Sequence, residues 1–177
     1  RVELDAMLAP VELPDHQGVA AQVIENPDDL SRVNPFLPVM LANSATMVDG
    51  FIKDYSGKHI AVMLRPCELR ALFELQKRNR MRFPKPANGD SQKSLFIFGV
   101  DCPGTFSFGE YTRRVEEDCD DAEMIQVALS HDDHNYHVLD HVRMACQMCN
   151  SPAPLGADVT IGSIGTAPQG CLLAIAA

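Results

Sequence analysis

The sequence predicts an α/β fold: a layered domain with a mostly parallel sheet, flanking helices and an irregular N-terminal arm. His59-Ile60-Ala61-Val62-Met63-Leu64 and Ser94-Leu95-Phe96-Ile97-Phe98-Gly99-Val100 are apolar runs of strand length. Both are nearly continuous rather than alternating, the mark of strands buried on both faces. Each runs into a helical pattern, and strands separated by helices imply parallel neighbours.

The first 35 residues carry Pro10, Pro14, Pro27 and Pro35 and hold one short helical segment over 28–33, opened by Asn26-Pro27-Asp28. Residues 1–37 therefore read as a wrapping arm, and residues 38–177 as the main domain. Val39-Met40-Leu41 reads as a short buried strand. Ser44 or Thr46 stands where a helix cap is needed, and Val48, Phe51 and Ile52 carry the helix to Lys53. After the first buried run, Leu69, Leu72, Phe73 and Gln76 mark one face of a helix reaching about Arg80. Residues 83–93, with two prolines, Asn88-Gly89 and several charges, form a surface loop. The second buried run is followed by Asp101-Cys102-Pro103-Gly104 and a helix over 108–117. A helical segment over 138–145 precedes Cys146, residues 158–165 alternate apolar and small side chains, and residues 171–177 form a last apolar strand.

A chain of 177 residues with 46% hydrophobic content buries one sizeable core. Its net charge of -9 opposes a nucleic-acid role, because phosphate binding needs a basic face. No apolar run approaches the roughly 20 residues that cross a bilayer. Arg1-Val2-Glu3 lacks an initiator Met and any targeting pattern. The expectation is a fragment, incomplete at both ends, with a cytoplasmic location by default.

Six cysteines without a secretion signal point to metal or redox chemistry rather than structural disulfides. Cys67 and Cys102 occupy equivalent places, each just past a buried strand and at the mouth of a helix. In open α/β sheets ligands bind beyond the carboxyl ends of strands, so two crossings deliver two thiols to one sheet edge. Cys146-Gln147-Met148-Cys149 adds the spacing with which two sulfurs grip one centre. Four ligands result. An iron-sulfur cluster is favoured over zinc, which more often uses two close cysteine pairs, but the residues alone leave both open. A thiol-disulfide enzyme would place its C-x2-C at the start of a helix after a strand.

Other signals are weaker. Cys119 lies among carboxylates that raise a thiol pKa, and Cys171 opens an apolar strand. His131, His134, His137 and His141 form a loose polar cluster that reads as a solvated approach to the cysteine pair. Arg65, Arg70 and Arg143 flank the cysteines, where they would stabilise a negative cluster or serve as ordinary surface arginines.

Pro66-Cys67-Glu68-Leu69-Arg70-Ala71-Leu72, Asp101-Cys102-Pro103-Gly104-Thr105, Cys146-x-x-Cys149 and Ala157-Asp158-Val159-Thr160-Ile161-Gly162-Ser163-Ile164-Gly165 follow one another in this order. The set resembles the beta subunits of coenzyme F420-reducing hydrogenase and formate dehydrogenase, from about Pro38 to the end. The resemblance implies an oxidoreductase subunit with FAD and a 4Fe-4S cluster, the cluster held by Cys67, Cys102, Cys146 and Cys149. Electrons would pass between the iron-sulfur relay of a catalytic hydrogenase or dehydrogenase partner and a soluble carrier such as coenzyme F420. Asn43, Ser44 and Thr46 would offer backbone amides to a flavin phosphate, and Gly162, Ser163, Gly165 and Gly170 a close backbone approach. The chain lacks the C-x2-C-x2-C-x3-C-P run that some members of that family add. The alternative is a non-catalytic, zinc-stabilised interaction module.

Overall fold

The computed structural model describes residues 3–84, 94–129, 142–162, 164 and 173–176. Six strands form one sheet in the order β2-β1-β3-β4-β5-β6. They are β1 (Ala6–Glu12), β2 (Val19–Ile24), β3 (Ile60–Leu64), β4 (Leu95–Val100), β5 (Val159–Gly162) and β6 (Leu173–Ala176). The four central strands, β1, β3, β4 and β5, run parallel. β2 and β6 close the two edges as antiparallel strands. The α/β layering is therefore as expected.

The N-terminal arm is a correction. Instead of an irregular segment, β1 and β2 form a hairpin whose first strand joins the parallel sheet. Pro10 concealed it, since a proline argues against a central strand. Its pairing with β3 covers only Ala6 to Leu8, and the Pro10 carbonyl accepts from Asn34 on the side away from β2. The missing N–H therefore falls outside both ladders.

Helix α1 (Ala45–Asp54) buries Val48, Phe51 and Ile52, and α2 (Pro66–Lys77) buries Leu69 and Leu72. With Leu8, Ile60, Val62, Leu64, Leu95 and Ile97 they make the main core on one face of the sheet. On the other face Met63, Phe96 and Phe98 remain partly exposed. Helices α3 (Phe108–Glu116) and α4 (Asp121–Leu129) build a second core, in which Phe106, Tyr111 and Met124 pack against Leu37 and Val39.

Residues 39–41 are not a strand. Val39 is buried, but the carbonyls of Val39 and Met40 accept from the guanidinium groups of Arg65 and Arg143 rather than from a ladder. Helix α2 stops at Lys77, short of Arg80, where Asn79 turns to positive φ. The helix expected to precede Cys146 is instead the four-residue α5 (Met144–Gln147), which contains it. Residues 138–141 of that expectation lie outside the described residues. Among the described residues no helix is long and apolar enough to cross a membrane.

Candidate metal centre

β3 and β4 are parallel neighbours in register, with Leu64 opposite Gly99. The chain consequently leaves the sheet twice, side by side, at the same edge. Past β3, Pro66 takes the first position of α2, where a helix has no use for the N–H that proline lacks. This puts Cys67 in the first turn. Past β4, Cys102 follows Asp101 and donates its backbone N–H to Pro152 O at 3.0 Å.

Gly104 then adopts φ +126°, a conformation that side chains rarely reach. A Cβ placed on it would lie 3.6 Å from Cys146 Cβ. Cys146 sits in α5 with its Sγ 3.4 Å from Thr105 Oγ1. Helix α5 is tied down by Arg143, whose backbone N–H donates to Thr105 O and whose guanidinium donates to the carbonyls of Phe106 and Met40. Cys149 follows one turn later, and Arg70 Nη2 on α2 donates to its Sγ at 3.9 Å.

All four cysteines line one cavity of about 450 Å³, a volume in the range of ligand and cofactor pockets. None of the described cysteines is in a disulfide. Burial pushes the Cys67 thiol up, as does the Glu68 carboxylate, while Arg65 pulls the other way. Burial also raises Cys102, against Arg65 and the Gly104 N–H, and the Cys67 and Cys146 sulfurs raise it further. These three sulfurs thus lie within electrostatic reach of one another.

Among the described residues, no three His, Cys, Asp or Glu side chains gather tightly enough to hold a single metal ion. A cubane binds each thiolate to a different iron and spreads its ligands more widely than one tetrahedral ion does. What the described geometry establishes is that the four sulfurs share one cavity lining.

Two residues beneath the cavity matter more than sequence reasoning gave them. Arg65, 5% exposed, donates to the carbonyls of Pro35, Leu37 and Val39, at 2.6 Å for Leu37 and 2.9 Å for Val39. Glu68, equally buried, accepts from the backbone N–H groups of Ser44 and Arg65, both at 2.9 Å. Its place three residues after Arg65, at the third helical position, is a capping signal visible in the sequence. Asp101 Oδ2 accepts from Ile164 N–H at 2.7 Å, holding Ile164 at the cavity wall.

The expected flavin residues are less well gathered. Asn43 lines the cysteine cavity, and Ser44 lines a neighbouring, mostly apolar cleft that shares Met40 and Arg65 with it. Thr46 is in neither lining; its hydroxyl donates to Asn43 O. The amides at the start of α1 already have acceptors: Glu68 for Ser44, the Asn43 side chain for Ala45 and Asn43 O for Thr46. A phosphate does not fit there without displacing these oxygens. Gly162 pairs with Leu173 in the sheet. Ser163, Gly165, Gly170, Cys171 and the four histidines lie outside the described residues. Cys119 is half-buried against the second core, its thiol raised by burial first and then by Glu123.

Residues 57–176 match the model for the C terminus of the "Coenzyme F420 hydrogenase/dehydrogenase, beta subunit" family. The chain is 30% identical over 139 residues to the F420-dependent formate dehydrogenase 1 subunit beta of Methanococcus maripaludis, which covers 68% of this chain and 34% of that protein. Its fold is similar to a solved chain of the F420-reducing [NiFe] hydrogenase complex from Methanosarcina barkeri, with a TM-score of 0.65 at 15% identity. That likeness covers 92% of this chain and 59% of the solved one. The chain thus spans about a third of the curated relative and under two thirds of the solved chain. With the match covering more than half of its residues, the chain belongs to the coenzyme F420 hydrogenase/dehydrogenase beta subunit family.

Proposed function

We propose that this chain is part of an electron-transferring oxidoreductase subunit in which Cys67, Cys102, Cys146 and Cys149 hold one 4Fe-4S cluster. The single observation that carries the reading is the pair of in-register parallel strands that turn two cysteines into one cavity, which the C-x2-C arm lines from the other side. When bound, such a cluster supplies one-electron transfer. The chain's own task is to place and shield it. Cys67 and Cys102 follow directly on two neighbouring strands, Gly104 lets the β4 loop approach Cys146 closely, and the cavity lining is mostly carbon.

The whole protein, in this proposal, also binds FAD and exchanges electrons between a hydrogenase or dehydrogenase partner, through its iron-sulfur relay subunit, and a hydride carrier such as coenzyme F420. The family match and the complexes to which the similar proteins belong support this. The occupied amides at the start of α1 do not favour a flavin phosphate at Asn43, Ser44 and Thr46. Gly162 and the Ser163, Gly165 and Gly170 segment are retained as its backbone contacts.

Anaerobic purification with iron, acid-labile sulfide and zinc assays, absorption spectra before and after reduction, and acid extraction of flavin test the proposal. The expected result is four irons and four sulfides per chain, about the stoichiometry of one cubane. Loss should follow substitution of any of the four cysteines by serine. A colourless protein holding one zinc and unfolding on chelation would overturn it in favour of the interaction module.

A further inference from the structure

We propose that Arg70 is a positioning residue for the Cys149 sulfur, and that its N–H···S hydrogen bond raises the reduction potential of the cluster assigned above. The inference rests on that assignment and deepens it. Arg70 lies three residues after Cys67 on α2, so the two project from one face of a helix whose opposite side is fixed by Leu69 and Leu72 in the core.

Its guanidinium forks across the C-x2-C arm. Nη1 donates to Ser151 O at 3.1 Å and Nη2 to Cys149 Sγ at 3.9 Å. One planar group thus grips two points two residues apart, which a lysine ammonium on its flexible stem does not reproduce. The other two arginines near the cavity are used differently. Arg65 binds the carbonyls of Pro35, Leu37 and Val39, and Arg143 those of Phe106 and Met40. Among these three, Arg70 is the one with a hydrogen bond to sulfur.

A cationic donor on a ligand sulfur stabilises the more negative state of a cluster, and hydrogen bonds to the sulfurs are among the factors that set cluster potentials. Reduction adds one electron and breaks no bond, so the effect appears directly in the midpoint potential.

The test uses wild-type protein, Arg70→Gln and Arg70→Lys, each reconstituted anaerobically with iron and sulfide and titrated with dithionite under EPR detection. Arg70→Gln should retain its iron and its melting temperature but be tenfold harder to reduce. For a one-electron couple that is a fall of about 59 mV. Arg70→Lys should fall between. An unchanged potential at full iron content overturns the inference while leaving the cluster assignment standing. If Arg70→Gln loses iron, pulsed EPR on 15N-arginine-labelled wild-type and Arg70→Lys proteins decides: a guanidinium nitrogen coupling to the reduced cluster that disappears in Arg70→Lys supports the inference, and spectra that do not differ overturn it. Wild-type protein that takes up no iron overturns the cluster assignment itself, and this inference with it.

Discussion

Replacing Gly99 by alanine should destabilise the protein sharply, although the change adds one methyl group to a strand. The Cβ would lie 2.5 Å from Pro154 Cβ, 2.7 Å from Pro154 Cγ and 2.8 Å from Ala157 Cβ. All three are stiff neighbours, two in a pyrrolidine ring and one a methyl group fixed to the backbone. Pro154 would have to retreat from 2.5 Å to the 3.4 Å of an ordinary contact. Its segment is pinned on both sides, by Cys102 N–H on Pro152 O and by the two bonds between Ile97 and Asp158. Relaxation is therefore costly, and the penalty belongs at the upper end of overpacking values, about 2–3 kcal/mol. For a chain of this length that lowers the melting temperature by roughly 4–12 °C. Thermal unfolding followed by circular dichroism reads it. Gly50→Ala is the control: no atom lies within 4 Å of its added Cβ, and the exposed helical site should gain about 0.5–1 kcal/mol. A Gly99→Ala protein that melts with the wild type would refute the argument.

Three further outcomes are expected. Glu68→Ala leaves the Ser44 and Arg65 amides without their acceptor and should cost about 2–4 kcal/mol in urea unfolding, while Glu68→Gln, keeping one oxygen, should lose about half as much. Tyr111 is buried, and desolvation, with Asp121 and Glu12 adding to it, raises its phenol to about 12. Because that value exceeds the ordinary 10 of an unfolded chain, the tyrosine's contribution is intact below pH 10 and lost as pH climbs toward 12; Tyr111→Phe should flatten this alkaline decline in equilibrium unfolding. In metal-free protein at pH 8, mass spectrometry after brief iodoacetamide treatment should find the exposed Cys149 alkylated well before Cys67 and Cys102, whose raised thiols hold less thiolate. Equal labelling would contradict the burial described for these groups.

The parts of the fold that were legible in the sequence are those whose signal is local. β3 and β4 appear as unbroken apolar runs, and α1, α2 and α3 carry their periodicity on their surfaces. The β1–β2 hairpin was hidden by Pro10, whose harmlessness depends on where β3 stops pairing. Helix α4 follows the acidic run and was not anticipated, although Met124 and Ala128, four apart and buried, carry its spacing. At the cavity, the meeting of Cys67 and Cys102 could be inferred because parallel strands in sequence order bring their ends together. The bonds of Arg65 were not legible, since its carbonyl partners lie 26 to 30 residues away and carry no sequence identity. Nor did the sequence reveal that the oxygens of Glu68 and Asn43 fill the amides at the start of α1.

The anchoring of Arg65 and Glu68 gives the cavity two unequal jaws. The jaw carrying Cys67 and Cys102 rises from two adjacent sheet strands, and Arg65 and Glu68 tie its Cys67 side to residues 35–44. The jaw carrying Cys146 and Cys149 is a single short turn with Met144 and Met148 projecting into solvent, held by Arg143, Thr105 and Arg70. An incoming group would therefore meet one wall braced by the sheet and one held by a few side-chain bonds, and fixing that second wall carries its own conformational-entropy cost.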